Sequence, residues 1–288
     1  MFDPKTDKFP YPEYTDKHYL IVKKDDGTVF DENYPYIDKS FGFRFKQFWV
    51  RLLLICIVFP MTYIRLGLRI IGRKNLKEHK NELKNGAVSV CNHVHMWDYL
   101  AIMKAIRPKW SNILAWDKNV SGESGPLVRM VGGIPIPSNN SKGTIAYMST
   151  IKKLLCEDKG WLHIYPEGAM WEYYQPIRPF KHGALHFACK YNKPVVPLGF
   201  SYRKPGWIRR VIFKQIACFD LHVGEPIYPD MELALVDREM DLTKRCHERV
   251  CQLVGIDPDK NLYPPIFDNT KRVDYYTSTY GIGYKGSK

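Results

Sequence analysis

The 288-residue sequence has no G-x-S-x-G nucleophile elbow, and Ser121-Gly122-Glu123-Ser124-Gly125 does not fit one. It has no Walker or Rossmann glycine pattern, which removes the common nucleotide-binding readings. Its seven cysteines, at 56, 91, 156, 189, 218, 246 and 251, form no C-x-x-C pair and are odd in number. That argues for a reducing compartment and against a disulfide framework or zinc ribbon. Met1-Phe2-Asp3-Pro4 lacks the basic and apolar regions of a signal peptide. A long apolar run is missing too. The uncharged stretch Leu52 to Ile64 is thirteen residues, is bracketed by Arg51 and Arg65, and contains Pro60. A spanning helix takes about 20 residues. Acidic residues are scarce: 43 basic against 30 acidic gives a net charge of +13. That balance favours an anionic partner, whether nucleic acid, anionic lipid or a phosphorylated substrate.

Residues 1–43 are polar, rich in Tyr, Phe and Pro, and read as an N-terminal appendage. Within them, Tyr19-Leu20-Ile21-Val22 and Val29-Phe30 flank Asp25-Asp26-Gly27-Thr28, the pattern of a small hairpin on an Asp-Gly turn. Residues 44–73 differ. On a helical wheel at roughly 100° per residue, Arg44, Arg51, Arg65, Arg69 and Arg73 fall in a sector of about 80°. A basic stripe opposite an apolar face, with Phe48, Trp49 and Tyr63 as interfacial residues, predicts one or two helices lying in a membrane interface. The competing reading is an amphipathic helix packed on the protein's own core. From 74 to 255 short apolar runs alternate with helical patterns. Strands are expected at 86–91, 112–116, 161–165 and 194–200, with more strand signal at 211–223. Helices are expected at 98–106, 143–157, 182–191 and 232–254. This order predicts an α/β domain with a mixed, largely parallel sheet flanked by helices. Residues 256–288, with Pro264-Pro265 and a Gly/Lys-rich end, read as a C-terminal tail.

Asn92-His93-Val94-His95-Met96-Trp97-Asp98 follows the apolar run Gly86 to Cys91. Histidine exchanges a proton near neutral pH, and a nearby aspartate fixes its tautomer. On a straight helix a separation of five places the two about 140° apart. The pair therefore converges if His93 sits in a strand-to-helix loop and Asp98 in the first helical turn. A structural histidine remains the alternative. The H-x-H-x-D-H metal cluster of hydrolases is missed, because Trp97 stands where an acid is needed and Asp98 where a histidine is needed. His95 is instead expected to cap or pack the helix.

Three further stretches stand out. In Gly132-Gly133-Ile134-Pro135-Ile136, the glycines permit close backbone approach to a ligand, or simply a turn before an edge strand. Tyr165-Pro166-Glu167-Gly168 ends an apolar strand in a carboxylate, which points toward the ligand crevice of an open α/β sheet, or into a solvated turn. Downstream, Arg178 and Lys181 precede a helical pattern and are placed to meet an anion. Last, Val195-Val196-Pro197-Leu198-Gly199-Phe200 is an apolar strand whose proline moves it to an edge or a bulge. It is expected to wall a site for an acyl chain or pantetheine.

These four blocks, in this order and at spacings of roughly 40, 30 and 30 residues, resemble those of the glycerolipid acyltransferases, whose bacterial type is the lysophosphatidic acid acyltransferase. The family pattern is N-H-x-x-x-x-D, G-x-I-P-I, [FY]-P-E-G and a proline-bearing apolar strand. The resemblance covers about residues 70–230. It implies an O-acyltransferase that moves a fatty acyl group from acyl-CoA or acyl carrier protein to a lysophospholipid hydroxyl. The implied acceptor is 1-acyl-sn-glycerol-3-phosphate and the product phosphatidic acid. His93 would be the general base and Asp98 its orienting acid. Gly133, Ile134, Pro135, Glu167 and Gly168 would hold the acceptor, with Arg178 and Lys181 on its phosphate. No cofactor or metal is expected beyond the acyl co-substrate. The expected partners are membrane lipids at the cytoplasmic face of the cell membrane, approached in a peripheral or monotopic way, and no nucleic acid. Two departures bear on the acceptor. The family commonly has an arginine after I-P-I, where this chain has Pro137, and E-G-T-R where it has Glu167-Gly168-Ala169-Met170. Another lipid acceptor is therefore an open alternative, as is a non-catalytic module binding anionic lipid or nucleic acid.

Overall fold

The expected apolar runs form the centre of one seven-stranded sheet because they are covered on both faces. The computed structural model describes residues 26–258, apart from positions 139, 175, 214 and 216. Its strands are β1 (Arg69–Ile71), β2 (Ala87–Val90), β3 (Ser111–Trp116), β4 (Gly133–Ile136), β5 (Trp161–Ile164), β6 (Val195–Arg203) and β7 (Cys218–Val223). They lie in the order β1-β7-β6-β2-β5-β3-β4. Neighbours run parallel except β6 and β7, which pair antiparallel from Leu198–Val223 to Arg203–Cys218. Successive side chains of a strand point to opposite faces. Accordingly, Val88, Val90, Leu162 and Ile164 join one core, while Ala87, Cys91, Trp161, Val196 and Leu198 join the other. Burial on both sides explains why these strands read as continuous apolar runs.

The predicted helices are present at Asp98–Ala105, Ser141–Lys152, His186–Lys190 and Leu235–Leu253. The second runs on through a π-helical turn, Lys153–Glu157, and the third is shorter than expected. The 211–223 signal resolves into the end of a short helix, Trp207–Val211, followed by β7. The three-residue β1 was too short to be seen in the sequence.

Three expectations need correction. First, the 44–73 segment is one continuous helix, Phe41–Leu66, of 26 residues, with an apolar window long enough by length and composition to cross a membrane. Pro60 does not break it. A π-helical turn at Leu54–Val58 precedes the proline and absorbs the lost donor. The helix ends at Gly67 in the left-handed conformation. Arg69 is therefore in β1, paired with Asp220, and Arg73 donates to the carbonyls of Ala105 and Arg107. The five-arginine stripe does not exist, because the helix stops before its last two members.

Second, β6 is central, not an edge. Its proline is accommodated by a bulge. Val195 bridges Ile227 and Leu198 pairs with Val223, so two residues of β6 face three on the other side. Pro197 accepts at its carbonyl from Gly224 N–H, and the bulge opposite it is where its missing N–H falls. Its neighbours Val195, Val196 and Leu198 are buried in the cores and wall no open site. Third, Val29 and Phe30 are not in a strand, and the Tyr19–Val22 arm of the expected hairpin lies outside the described residues, as does the tail beyond 258. Phe30 and Tyr36 are instead buried beside Tyr147.

Beyond Val90–Pro197, β2 departs from β6, and the fully buried Asn92 side chain takes over the pairing. Its Oδ1 accepts from Phe200 N at 2.8 Å and its Nδ2 donates to Phe200 O at 3.2 Å. Replacing it with alanine strands both Phe200 groups. Asn92→Ala is expected to destabilise the protein by about 2–4 kcal/mol in chemical denaturation, well above an average substitution.

Candidate active site

The site forms at the carboxyl edge of β2 and β5, where open α/β sheets present their ligand crevice. β2 ends at Val90, the chain crosses a loop, and Asp98 opens the next helix, whose positive end favours an acid. This loop-then-first-turn placement brings the expected pair together: His93 Nδ1 lies 2.7 Å from Asp98 Oδ2. The same oxygen accepts from Val94 N at 3.0 Å and His95 N at 3.3 Å. Oδ1 accepts from the Tyr165 hydroxyl at 2.5 Å. Burial opposes charge on Asp98, but His93 and these donors outweigh it and hold the carboxyl below its ordinary range. With Asp98 ionised, Nδ1 carries the proton and Nε2 keeps its lone pair. The His93 side chain is 23% exposed against 1% for Asp98, so the ring's outer edge reaches the surface.

Tyr165 was not singled out from the sequence. Its ring stacks on His93 with centroids 3.8 Å apart and planes 7° apart. Burial, then the Asp98 charge, pushes its phenol far above the ordinary value, so it stays a donor. The first position of [FY]-P-E-G carried the signal: a phenylalanine there supplies the ring but no hydroxyl.

His95 behaves as a capping residue. Its Nδ1 accepts from Trp97 N at 3.1 Å, and its Nε2 lies 3.5 Å from Glu172. Burial, helped by Arg65 and His93 and opposed by Asp98, lowers it to about 4, so it is neutral and does not compete with His93 for a proton. Arg65, from the last turn of the 41–66 helix, is thus near enough for its charge to be felt, which no sequence spacing indicated.

Glu167 and Arg178 are not where the sequence reading put them. Both are buried. Glu167 accepts from His93 N at 3.1 Å, Arg178 N at 3.0 Å and Arg178 Nη2 at 2.6 Å. The guanidinium also donates to Ala169 O and lies over Trp171. Burial pushes the Glu167 carboxyl up, and Arg178 and the His93 N–H pull against it. The pair holds the His93 loop from beneath, together with Trp171 N to His93 O at 2.9 Å and Tyr173 N to Val94 O at 2.8 Å. A guanidinium committed in this way faces no crevice. Lys181, by contrast, is exposed and lies across Gly168. Gly168 has φ +77°, which calls for glycine, and a Cβ there would sit 2.6 Å from Lys181 Cε, a clash the flexible lysine could relieve by moving. Met170, at the family's arginine position, is buried.

Gly133, Ile134 and Pro135 are also buried, in the edge strand β4, with β3 and β5 between them and β2. At about 4.8 Å per strand that is roughly 14 Å of sheet. A Cβ on Gly133 would meet Val128 Cγ1 at 2.5 Å, so this glycine admits the Gly125–Met130 helix rather than a ligand. Exposure begins at Ile136.

Residues 67–201, which contain all four blocks, match the Acyltransferase family model. Human 1-acyl-sn-glycerol-3-phosphate acyltransferase alpha is 27% identical over 114 residues, covering 40% of this chain and 40% of that protein. The bovine protein of the same name is 27% identical over 114 residues, covering 40% of this chain and 39% of its own length. The chain thus spans about 40% of the curated relatives it matches. The solved 1-acyl-sn-glycerophosphate (LPA) acyltransferase PlsC of Thermotoga maritima aligns with a TM-score of 0.45 at 19% identity, over 65% of this chain and 70% of that one. The 67–201 segment is thus similar to an acyltransferase domain, and it carries strands β1 to β5 and most of β6 of the α/β sheet.

The buried ion pair separates two roles for its members. Arg178→Ala leaves a buried carboxylate uncompensated and is expected to cost about 3–5 kcal/mol in thermal or urea unfolding, whereas Lys181→Ala stays within about 0.5 kcal/mol. An Arg178→Ala protein of normal stability that loses acceptor affinity alone would restore the anion-clamp role.

Proposed function

We propose that the protein is an O-acyltransferase that moves a fatty acyl group from acyl-CoA or acyl carrier protein to the hydroxyl of a lysophospholipid. The favoured acceptor is 1-acyl-sn-glycerol-3-phosphate, giving phosphatidic acid. The observation that carries this reading is the His93–Asp98 dyad at the sheet's carboxyl edge. His93 Nε2 takes the proton from the acceptor hydroxyl as its oxygen attacks the thioester carbonyl. The tetrahedral intermediate collapses, the carbon–sulfur bond breaks, and the imidazolium returns the proton to the leaving thiolate. Asp98 stabilises that imidazolium. Tyr165 holds the ring by stacking and the carboxylate by its hydroxyl, so both partners of the dyad are fixed before substrate arrives.

Lys181, exposed beside Gly168, is the cation best placed for an acceptor phosphate. It stands in for the family arginines replaced here by Pro137 and Met170. The name of the matched relatives supports a 1-acylglycerol-3-phosphate acceptor.

The 41–66 helix supports placement at a lipid surface. Leu54, Phe59, Thr62 and Leu66 pack inward, and Lys104 Nζ donates to Phe59 O. Phe41, Phe45, Phe48, Trp49, Leu52 and Leu53 are exposed along the other side. Both flanks return to one globular body: Phe30 and Tyr36 precede the helix and are buried, and β1 follows it. A helix so tied at both ends lies along an interface more readily than across a bilayer, which favours monotopic attachment. Seven free cysteines accord with the cytoplasmic face.

Purified protein is to be assayed with acyl-CoA and acyl carrier protein donors against lysophosphatidic acid, other lysophospholipids and monoacylglycerol, with product read by mass. His93→Ala is expected to lower kcat by at least about 10³-fold, and Tyr165→Phe to lower it less without raising the acceptor KM. Transfer intact in His93→Ala removes this base. Equal use of monoacylglycerol removes the phosphate contact assigned to Lys181. Lipid binding without transfer to any acceptor supports the non-catalytic module.

A further inference from the structure

Residues 204–217 join antiparallel β6 and β7, a link that about two to five residues could make. The extra length holds the short helix Trp207–Val211. At roughly 100° per residue, Trp207, Ile208, Val211 and Ile212 occupy one side and Arg209 and Arg210 the other. All four apolar side chains face solvent, at 67%, 56%, 51% and 62% exposure, and Phe213 is exposed as well. Trp, Ile and Val on a helix this short are costly to leave in water without a partner.

The connection is fixed to the end of the 41–66 helix. Arg209 Nη1 donates to Ile64 O at 2.7 Å, and its guanidinium lies over Tyr63. Gln215 Nε2 donates to Ile64 O at 2.7 Å and Arg65 O at 2.5 Å, and Arg203 Nη2 donates to Gly67 O at 2.6 Å. These carbonyls are among those a helix end leaves to water. Satisfied by side chains, they lose the need for hydration, which is the condition for a helix end to enter an apolar boundary. Exposed Met61, Tyr63 and Ile64 carry the apolar surface of the long helix up to this point. Lys204, Arg210 and Arg65 are exposed around it.

We infer that the 204–213 connection is a second membrane-engaging element: its Trp207, Ile208, Val211 and Ile212 face enters the headgroup–acyl boundary of an anionic bilayer beside the 41–66 helix. The inference rests on the lipid-surface reading of that helix. The occupant is a bilayer because the patch continues the helix's exposed apolar side and is rimmed by cations that suit anionic headgroups.

The full-length protein is to be titrated with vesicles of phosphatidylcholine and phosphatidylglycerol. The variant Trp207→Ser/Ile208→Ser/Ile212→Ser is expected to partition at least about tenfold more weakly while keeping its melting temperature and its transfer to a short-chain, monomeric lysolipid. Wild-type partitioning by this variant overturns the proposal; loss of partitioning by Phe45→Ser/Trp49→Ser in the same assay shows that the helix reading stands without it. A wild-type protein that ignores vesicles overturns both. A change in oligomeric state with partitioning unchanged assigns the face to a second copy and overturns the bilayer. Should the triple variant misfold, brominated acyl chains must quench wild-type fluorescence more than that of Trp207→Phe, and equal quenching overturns the proposal.

Discussion

The Asp98 carboxylate sets the geometry of the candidate site. A charge with almost no contact with water must be solvated by the protein, and here four donors do so: the His93 ring, two backbone N–H groups and the Tyr165 hydroxyl. Each donor also fixes something else. The backbone donors shape the loop from β2 into the following helix. The hydroxyl aligns Tyr165, whose ring then clamps the imidazole. An orienting acid and a loop cap are thus one group, and moving it displaces the base, the loop and the stacked ring together.

A second buried carboxylate solves the same problem differently. Glu167 is neutralised by Arg178, and its oxygens are shared among His93 N, Arg178 N and the guanidinium. Pairs of this kind are weak contributors to net stability but expensive to break. Their use here is positional: the Glu167–Arg178 unit ties the turn after β5 to the loop after β2. An acid and an arginine at motif positions look like ligand contacts in one dimension. In three dimensions they form the floor beneath the base, whereas Lys181 stays exposed beside Gly168.

The long N-terminal helix and the β6–β7 connection are built from a different trade. Each exposes aromatic and aliphatic side chains that a purely water-facing surface would avoid. Each also satisfies its polar groups internally, through Lys104 on Phe59 O and through Arg203, Arg209 and Gln215 on the carbonyls at the helix end. Apolar exposure together with internal hydrogen bonding is the combination a lipid boundary requires.

Strands β2, β3, β5, β6 and β7 and the helix opening at Asp98 were legible because burial on both faces leaves continuous apolar runs, and because an acid marks a helix start. The His93–Asp98 pair was legible for a local reason. Five residues across a strand-to-helix loop leave few ways for two such groups to converge. Beyond that range the sequence is silent. It did not show that the 41–66 helix continues through Pro60 and stops at Gly67, since a π-turn and a left-handed glycine depend on packing at the domain surface. It placed Pro197 at an edge or a bulge, and tertiary contact chose a bulge, carried by the 224–226 segment that faces this central strand. It grouped Gly133, Ile134, Pro135, Glu167 and Arg178 as ligand contacts because residue type and order carry no record of depth. Sequence alone determined which groups are available and which neighbours meet across a turn. Tertiary structure decided which of them face the crevice and which hold it up, because burial and the pairing of distant charges are set when strands far apart in the chain are laid side by side.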